Sequence, residues 1–124
     1  RSWDLKPDPL DKQSPFHPSN IDTYKSVPIE NIPDTESLKD TFVRVTNYYE
    51  SEIINNLSNG NILISAHGNS IRALCKYLFK LDKIQISNLE IPTGNPLLIE
   101  IDKNQNIKSC KYLDQDRAKN LVIF

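Results

Sequence analysis

The chain has 124 residues, 38% hydrophobic and 25% charged, with 15 basic and 16 acidic side chains and a net charge of −1. That length allows at most one small domain, and the near-neutral balance favours neither a nucleic-acid surface nor an acidic disordered tail. The apolar runs are only a few residues long, so nothing is expected to span a membrane, and two cysteines are too few for a disulfide framework, which fits a reducing, cytoplasmic compartment.

Residues 1–33 hold six of the eight prolines and no sustained periodicity. Proline fixes φ and removes a donor, so this segment is expected to be an irregular surface stretch. Trp3, Phe16 and Tyr24 are expected to anchor it, since disordered linkers are poor in aromatics. Residues 34–124 are expected to form a helix–strand–helix–hairpin core. A helix is predicted over 34–57, opened by the capping-box spacing of Ser37 and Asp40. Leu38, Phe42, Val45, Tyr49 and Ile53 give it one apolar stripe. Glu36 at its mouth reads as structural, and the Asn-rich run to Gly60 ends it.

The stretch from Asn61 to Phe79 organises the rest. Ile62, Leu63 and Ile64 form a run of the kind that becomes a strand buried on both faces, ending at Ser65. A helical pattern follows, with Ile71, Leu74, Cys75, Leu78 and Phe79 on one stripe and Arg72, Lys76 and Lys80 on another face that can stay in water. Asn69 or Ser70 is expected to cap this helix, and Gly68 to allow a tight turn or close approach of a ligand. The first N–H groups of a helix have no internal partner and carry partial positive charge, so an anion is favoured there. His67 has a reference pKa of about 6.5, suited to a charged hydrogen bond, and Arg72 adds a permanent charge. A capped turn with a merely exposed histidine is the other reading of the same residues.

Residues 82–90 are expected to make a short helix or turn, and Pro92, Thr93 and Gly94 a loop. Leu97–Ile101 and Ile107–Leu113 are predicted strands of a hairpin around the polar turn 102–106. Asp114 to Lys119 is charged and Leu121 to Phe124 is a short apolar end. Two distant histidines and unclustered cysteines give no metal site, and the three glycines lie too far apart for a phosphate loop. Cys75, in an apolar stripe, reads as inert, and Ser65 and Ser70 lack the glycines of a nucleophile elbow.

Four segments resemble one family in the same order. Ser65-Ala66-His67-Gly68-Asn69-Ser70-Ile71-Arg72 is similar to the second histidine motif of the histidine phosphatase superfamily, in its cofactor-dependent phosphoglycerate mutase branch. Arg1-Ser2-Trp3-Asp4 resembles that branch's Arg-Arg-Ser-aromatic-Asp segment. Glu36-Ser37-Leu38-Lys39-Asp40-Thr41 resembles its helix start, and Ile91-Pro92-Thr93-Gly94-Asn95-Pro96 its Pro-Thr-Gly strand entry. The likeness runs to about Tyr112.

The resemblance implies an α/β fold: part of a three-layer sandwich with a mostly parallel sheet flanked by helices, its amino-terminal half absent. It implies 2,3-bisphosphoglycerate as primer, with no metal, and interconversion of 3- and 2-phosphoglycerate in glycolysis through a phosphohistidine. His67 would stabilise the transition state, while Arg1, Gly68 and Asn69 would bind substrate. The family's Arg-His-Gly nucleophile and its glutamate proton donor have no counterpart here, because His17 sits in Pro15-Phe16-His17-Pro18 and Arg1 falls at the second arginine of its pair. The chain is therefore expected to be inactive alone. Its implied partners are phosphoglycerates, the missing amino-terminal half and a second copy. Without the neighbouring strand, Ile62–Ser65 would be an unprotected edge, prone to self-association or to pairing with that half. A broad histidine phosphatase and an inactive, binding-only remnant are the competing readings.

Overall fold

The computed structural model describes residues 2–118. Its first helix, α1, runs Leu38–Tyr48 and is set by the expected capping box. The Asp40 backbone N–H donates to Ser37 Oγ at 3.2 Å, and the Ser37 N–H donates to Asp40 Oδ2 at 2.8 Å. Two orphan donors are thereby satisfied at once. The helical path continues past α1 as a π turn over Tyr49–Ile53 and a 3₁₀ stretch over Ile54–Asn59, instead of one regular helix over 34–57. Asn55 and Asn56 accompany the change, their side-chain amides donating to the carbonyls of Ser51 at 3.1 Å and Glu52 at 2.7 Å. Such local bonds compete with the helical ladder. The predicted stripe survives, with Leu38 and Tyr49 buried and Phe42, Val45 and Ile53 partly so.

Helix α2, Gly68–Phe79, packs its apolar face on α1. Ala73 and Cys75 join Leu38, Leu81, Ile86 and Leu89 in one core cluster. Lys80, in the left-handed region at φ 54°, turns the chain toward α3, Lys83–Asn88. Asp82 caps α3 by accepting from the N–H groups of Ile84 at 2.8 Å and Gln85 at 2.7 Å. The hairpin forms as expected, β1 Leu97–Ile101 antiparallel to β2 Ile107–Tyr112, with Leu97 opposite Tyr112. Asp102 Oδ1 organises the turn by accepting from the amides of Asn104 and Asn106 at 2.8 and 2.9 Å. Tyr112 is buried, and that burial pushes its phenol up to about 12.

Three expectations need correction. First, Ile62–Ser65 makes no ladder, and Leu63 is 91% exposed. A strand is a pairing as much as a propensity, and β1–β2 is the one sheet among the described residues. The architecture is α/β, but the mostly parallel sheet is not formed by these residues. Second, the Arg72–Lys76–Lys80 face is not uniformly solvated. Arg72 is 8% exposed, Lys76 is half-buried and only Lys80 faces water. Arg72 donates to the Ile86 carbonyl, and Lys76 donates to the Leu81 carbonyl while lying 4.7 Å from the Trp3 ring centroid. Long basic side chains cover apolar surface with their stems, so a basic stripe can pack.

Third, the anchors of the proline-rich segment differ from those expected. Trp3 packs edge-on to Phe42 with centroids 5.5 Å apart, but Phe16 is 78% exposed and Tyr24 is exposed too. His17 is the buried residue instead, its Nδ1 lying 2.6 Å from Ser19 Oγ. The segment is built from short 3₁₀ turns at Pro18–Asn20, Asp22–Tyr24 and Ile29–Asn31. The apolar end from Leu121 to Phe124 lies outside the described residues.

Two substitutions rank these contributions in urea denaturation. Ser37→Ala is expected to cost about 1 kcal/mol, the usual worth of an N-cap. Ile86→Ala removes a side chain that is 0% exposed and is expected to cost about 2–5 kcal/mol. A smaller loss at Ile86 than at Ser37 would contradict the placement of the core.

Candidate functional site

The candidate site is the start of α2. His67 occupies the N-cap in an extended conformation (φ −64°, ψ 148°), makes no side-chain cap bond, and no acidic residue lies in the first turn. The cap is thus His67 and not Asn69 or Ser70 as expected, because the helix already begins at Gly68. The Asn69 Oδ1 instead accepts from Arg72 Nη1 at 3.1 Å. The positive end of the macrodipole is therefore offset by no carboxylate of its own turn. Gly68 has helical backbone here, and a Cβ built on it would meet nothing within 4 Å. The turn itself does not require glycine at that position.

Gly68, Asn69 and Arg72 open onto a cleft of about 830 Å³. Ser2 and Lys6 of the proline-rich segment form one side, and Glu90 to Pro92, after α3, form another. Glu36 and Arg117 complete the charged lining. Glu36 is taken up by Arg44, with Nε–Oε1 at 2.6 Å and Nη2–Oε2 at 3.0 Å, a bidentate pair. Lys6 Nζ lies 2.9 Å from Asp40 Oδ2. The Ser37 amide, and next the Lys6 ammonium, hold the Asp40 carboxyl down at about 2. Cys75 is buried, and burial lifts its thiol to about 12, so no thiolate nucleophile stands nearby. No group of three or more His, Cys, Asp or Glu side chains among the described residues could hold a metal.

Of the four residues expected in the site, Gly68 and Asn69 line the cleft. His67, one residue earlier, is exposed and lies outside the cleft wall. Arg1 lies outside the described residues, although Ser2 next to it lines the cleft. Sequence reasoning missed Lys6, Glu90 and Arg117. Their neighbours Pro7, Ile91 and the charged run 114–119 carry no periodic signal, and only the tertiary fold brings them together.

The family model described as "Histidine phosphatase superfamily (branch 1)" matches residues 9–112. The chain belongs to that superfamily. Among its superfamily relatives, a protein of Pelagibacter ubique (strain HTCC1062) named 2,3-bisphosphoglycerate-dependent phosphoglycerate mutase is 69% identical over 125 residues, covering 100% of this chain and 52% of the relative. Relatives of the same name from Hyphomonas neptunium and Hydrogenobaculum sp. are 48% and 44% identical, with 98% of this chain covered in each case and 50% of each relative. The chain spans about half the length of the curated relatives it matches.

The Asp40 network yields a pH prediction. Its folded pKa is depressed from 3.8 to about 2, so its stabilising contribution is complete above pH 3.8 and is lost as pH falls toward 2. Asp40→Asn should lower stability near neutrality and flatten that acid limb in urea midpoints measured against pH. An unchanged acid limb in the variant would show that the capping carboxylate does not titrate as described.

Proposed function

We propose that this chain is the second-histidine portion of a 2,3-bisphosphoglycerate-dependent phosphoglycerate mutase, interconverting 3- and 2-phosphoglycerate in cytoplasmic glycolysis. The observation that carries the reading is the start of α2, opening on a cleft that holds Lys6, Arg72 and Arg117. The names of the relatives give the reaction class, and the helix start is the kind of anion site such a reaction needs.

In this reading Gly68 and Asn69 hold phosphoryl oxygens through backbone N–H groups, and Arg1 grips the phosphoglycerate with paired guanidinium bonds. His67 donates a hydrogen bond to the transferring phosphoryl group as its charge redistributes. Preorganised donors of this kind are worth about 2.7–4 kcal/mol each in other enzymes. The bisphosphoglycerate primes the covalent step, which is assigned to a histidine outside this chain. A hydrogen-bond donor cannot replace a group that forms the covalent intermediate. The amino-terminal half is proposed to pair with Ile62–Ser65, and the exposure of Leu63 supports an apolar partner there.

Titration with 3-phosphoglycerate, followed by NMR at the His67 ring and the amides of Gly68 and Asn69, tests the site. Saturable shifts at all three are expected, and resonances unmoved at millimolar ligand would contradict the reading. Incubation with labelled 2,3-bisphosphoglycerate should leave the chain unlabelled. An acid-labile phosphohistidine on His67 or His17 would overturn the assignment of roles.

A further inference from the structure

Arg117 has a place in the cleft that the phosphoryl chemistry does not use. It sits in the turn after β2, and its guanidinium donates through Nη2 to the Thr93 carbonyl at 2.7 Å and through Nη1 to the Gly94 carbonyl at 3.3 Å. Its backbone N–H donates to Asp114 Oδ1 at 3.0 Å. Asp114 is in turn locked to buried Asn95, whose Nδ2 donates to the Asp114 carbonyl at 2.8 Å and whose Oδ1 accepts from the Asp114 N–H at 3.0 Å. The turn that carries Arg117 is thus fastened to the Pro92–Asn95 loop at several points. Gly94 takes φ +69° there, a conformation that disfavours any side chain.

Among the described residues, the two other cations of the cleft are committed. Lys6 is paired with the Asp40 carboxylate, and Arg72 is buried against Asn69 and the Ile86 carbonyl. Both guanidinium bonds of Arg117 end on neutral carbonyls, which orient it without cancelling its charge. A guanidinium has five N–H donors, so donors remain for an anion in the cleft.

We infer that Arg117 is a specificity-determining residue: it receives the carboxylate of the ligand whose phosphate sits at the start of α2. The inference rests on the phosphate site proposed above. It adds that the cleft selects phosphomonoesters bearing a carboxylate over neutral ones of the same size.

The test compares 3-phosphoglycerate with glycerol 3-phosphate, which keeps the phosphate and replaces the carboxylate by an alcohol. Binding to the 124-residue chain is read from the Gly68 and Asn69 amide shifts. The wild-type chain should bind 3-phosphoglycerate about tenfold more tightly, the size of a hydrogen bond to a charged group. Arg117→Gln should erase that preference while leaving glycerol 3-phosphate affinity unchanged, and Arg117→Lys should restore part of it. In the wild-type chain, 3-phosphoglycerate should also move the Arg117 Nε resonance while glycerol 3-phosphate does not, a readout that holds even if the glutamine variant fails to fold. A tenfold preference that survives Arg117→Gln, equal loss of both ligands, or an unmoved Nε resonance overturns the inference and leaves the phosphate site standing. If neither ligand moves the Gly68 and Asn69 amides, the phosphate site falls and the role of Arg117 with it.

Discussion

A helix that begins without a side-chain cap leaves its first amides to whatever comes to them, and α2 begins that way. His67 occupies the capping position but makes no cap bond, and no acidic side chain lies in the first turn. The contrast with the other helices of the chain is internal. Helix α1 is closed by the Ser37–Asp40 box and α3 by Asp82 with Gln85. Two helix starts are sealed by their own sequence and the third opens onto a cleft with three basic side chains. The uncapped amides and the positive end of the macrodipole make that opening favourable for an anion.

The scaffold keeps that opening in place through contacts well away from it. Ala73 and Cys75 seat α2 in the shared core, and the Arg72 stem is buried beside them. The segment that brings Ser2 and Lys6 to the cleft is held by Trp3, wedged between Phe42 and the Lys76 ammonium, and by the Lys39 N–H donating to the Trp3 carbonyl at 2.9 Å. Cation–π contacts of this kind are modest individually. Together with the backbone bond they tie a proline-rich, otherwise irregular segment to both helices.

What could be read from the sequence follows from which signals are local. The Ser37–Asp40 cap, the apolar stripe that runs from α1 into the π turn at Ile53 and the hairpin around Asp102 depend on neighbours a few residues away, and they formed as expected. The residues at the α2 start were legible because a strand-like run, a glycine and a helical stripe follow one another there. The fate of Ile62–Ile64 was not, since a strand is defined by what lies beside it. Arg72 and Lys76 misled because charge suggests solvent while their stems suit a packed face. Arg117 was invisible because its partners, Thr93 and Gly94, lie more than twenty residues away in sequence. Phe16 and Tyr24 failed as anchors for a related reason: aromatic content says that a segment can pack, not which ring finds a groove.

In the proposed reading the chain carries binding and orientation, and the covalent chemistry belongs to a second polypeptide segment. The direct measurement is complementation. The amino-terminal half of the relative that is 69% identical over 125 residues would be mixed with this chain, and conversion of 3-phosphoglycerate to 2-phosphoglycerate followed. The account predicts that neither half turns over alone, that the mixture does, and that His67→Ala in this chain removes the activity without preventing association. Turnover by this chain alone, or full turnover by the mixture carrying His67→Ala, would contradict it.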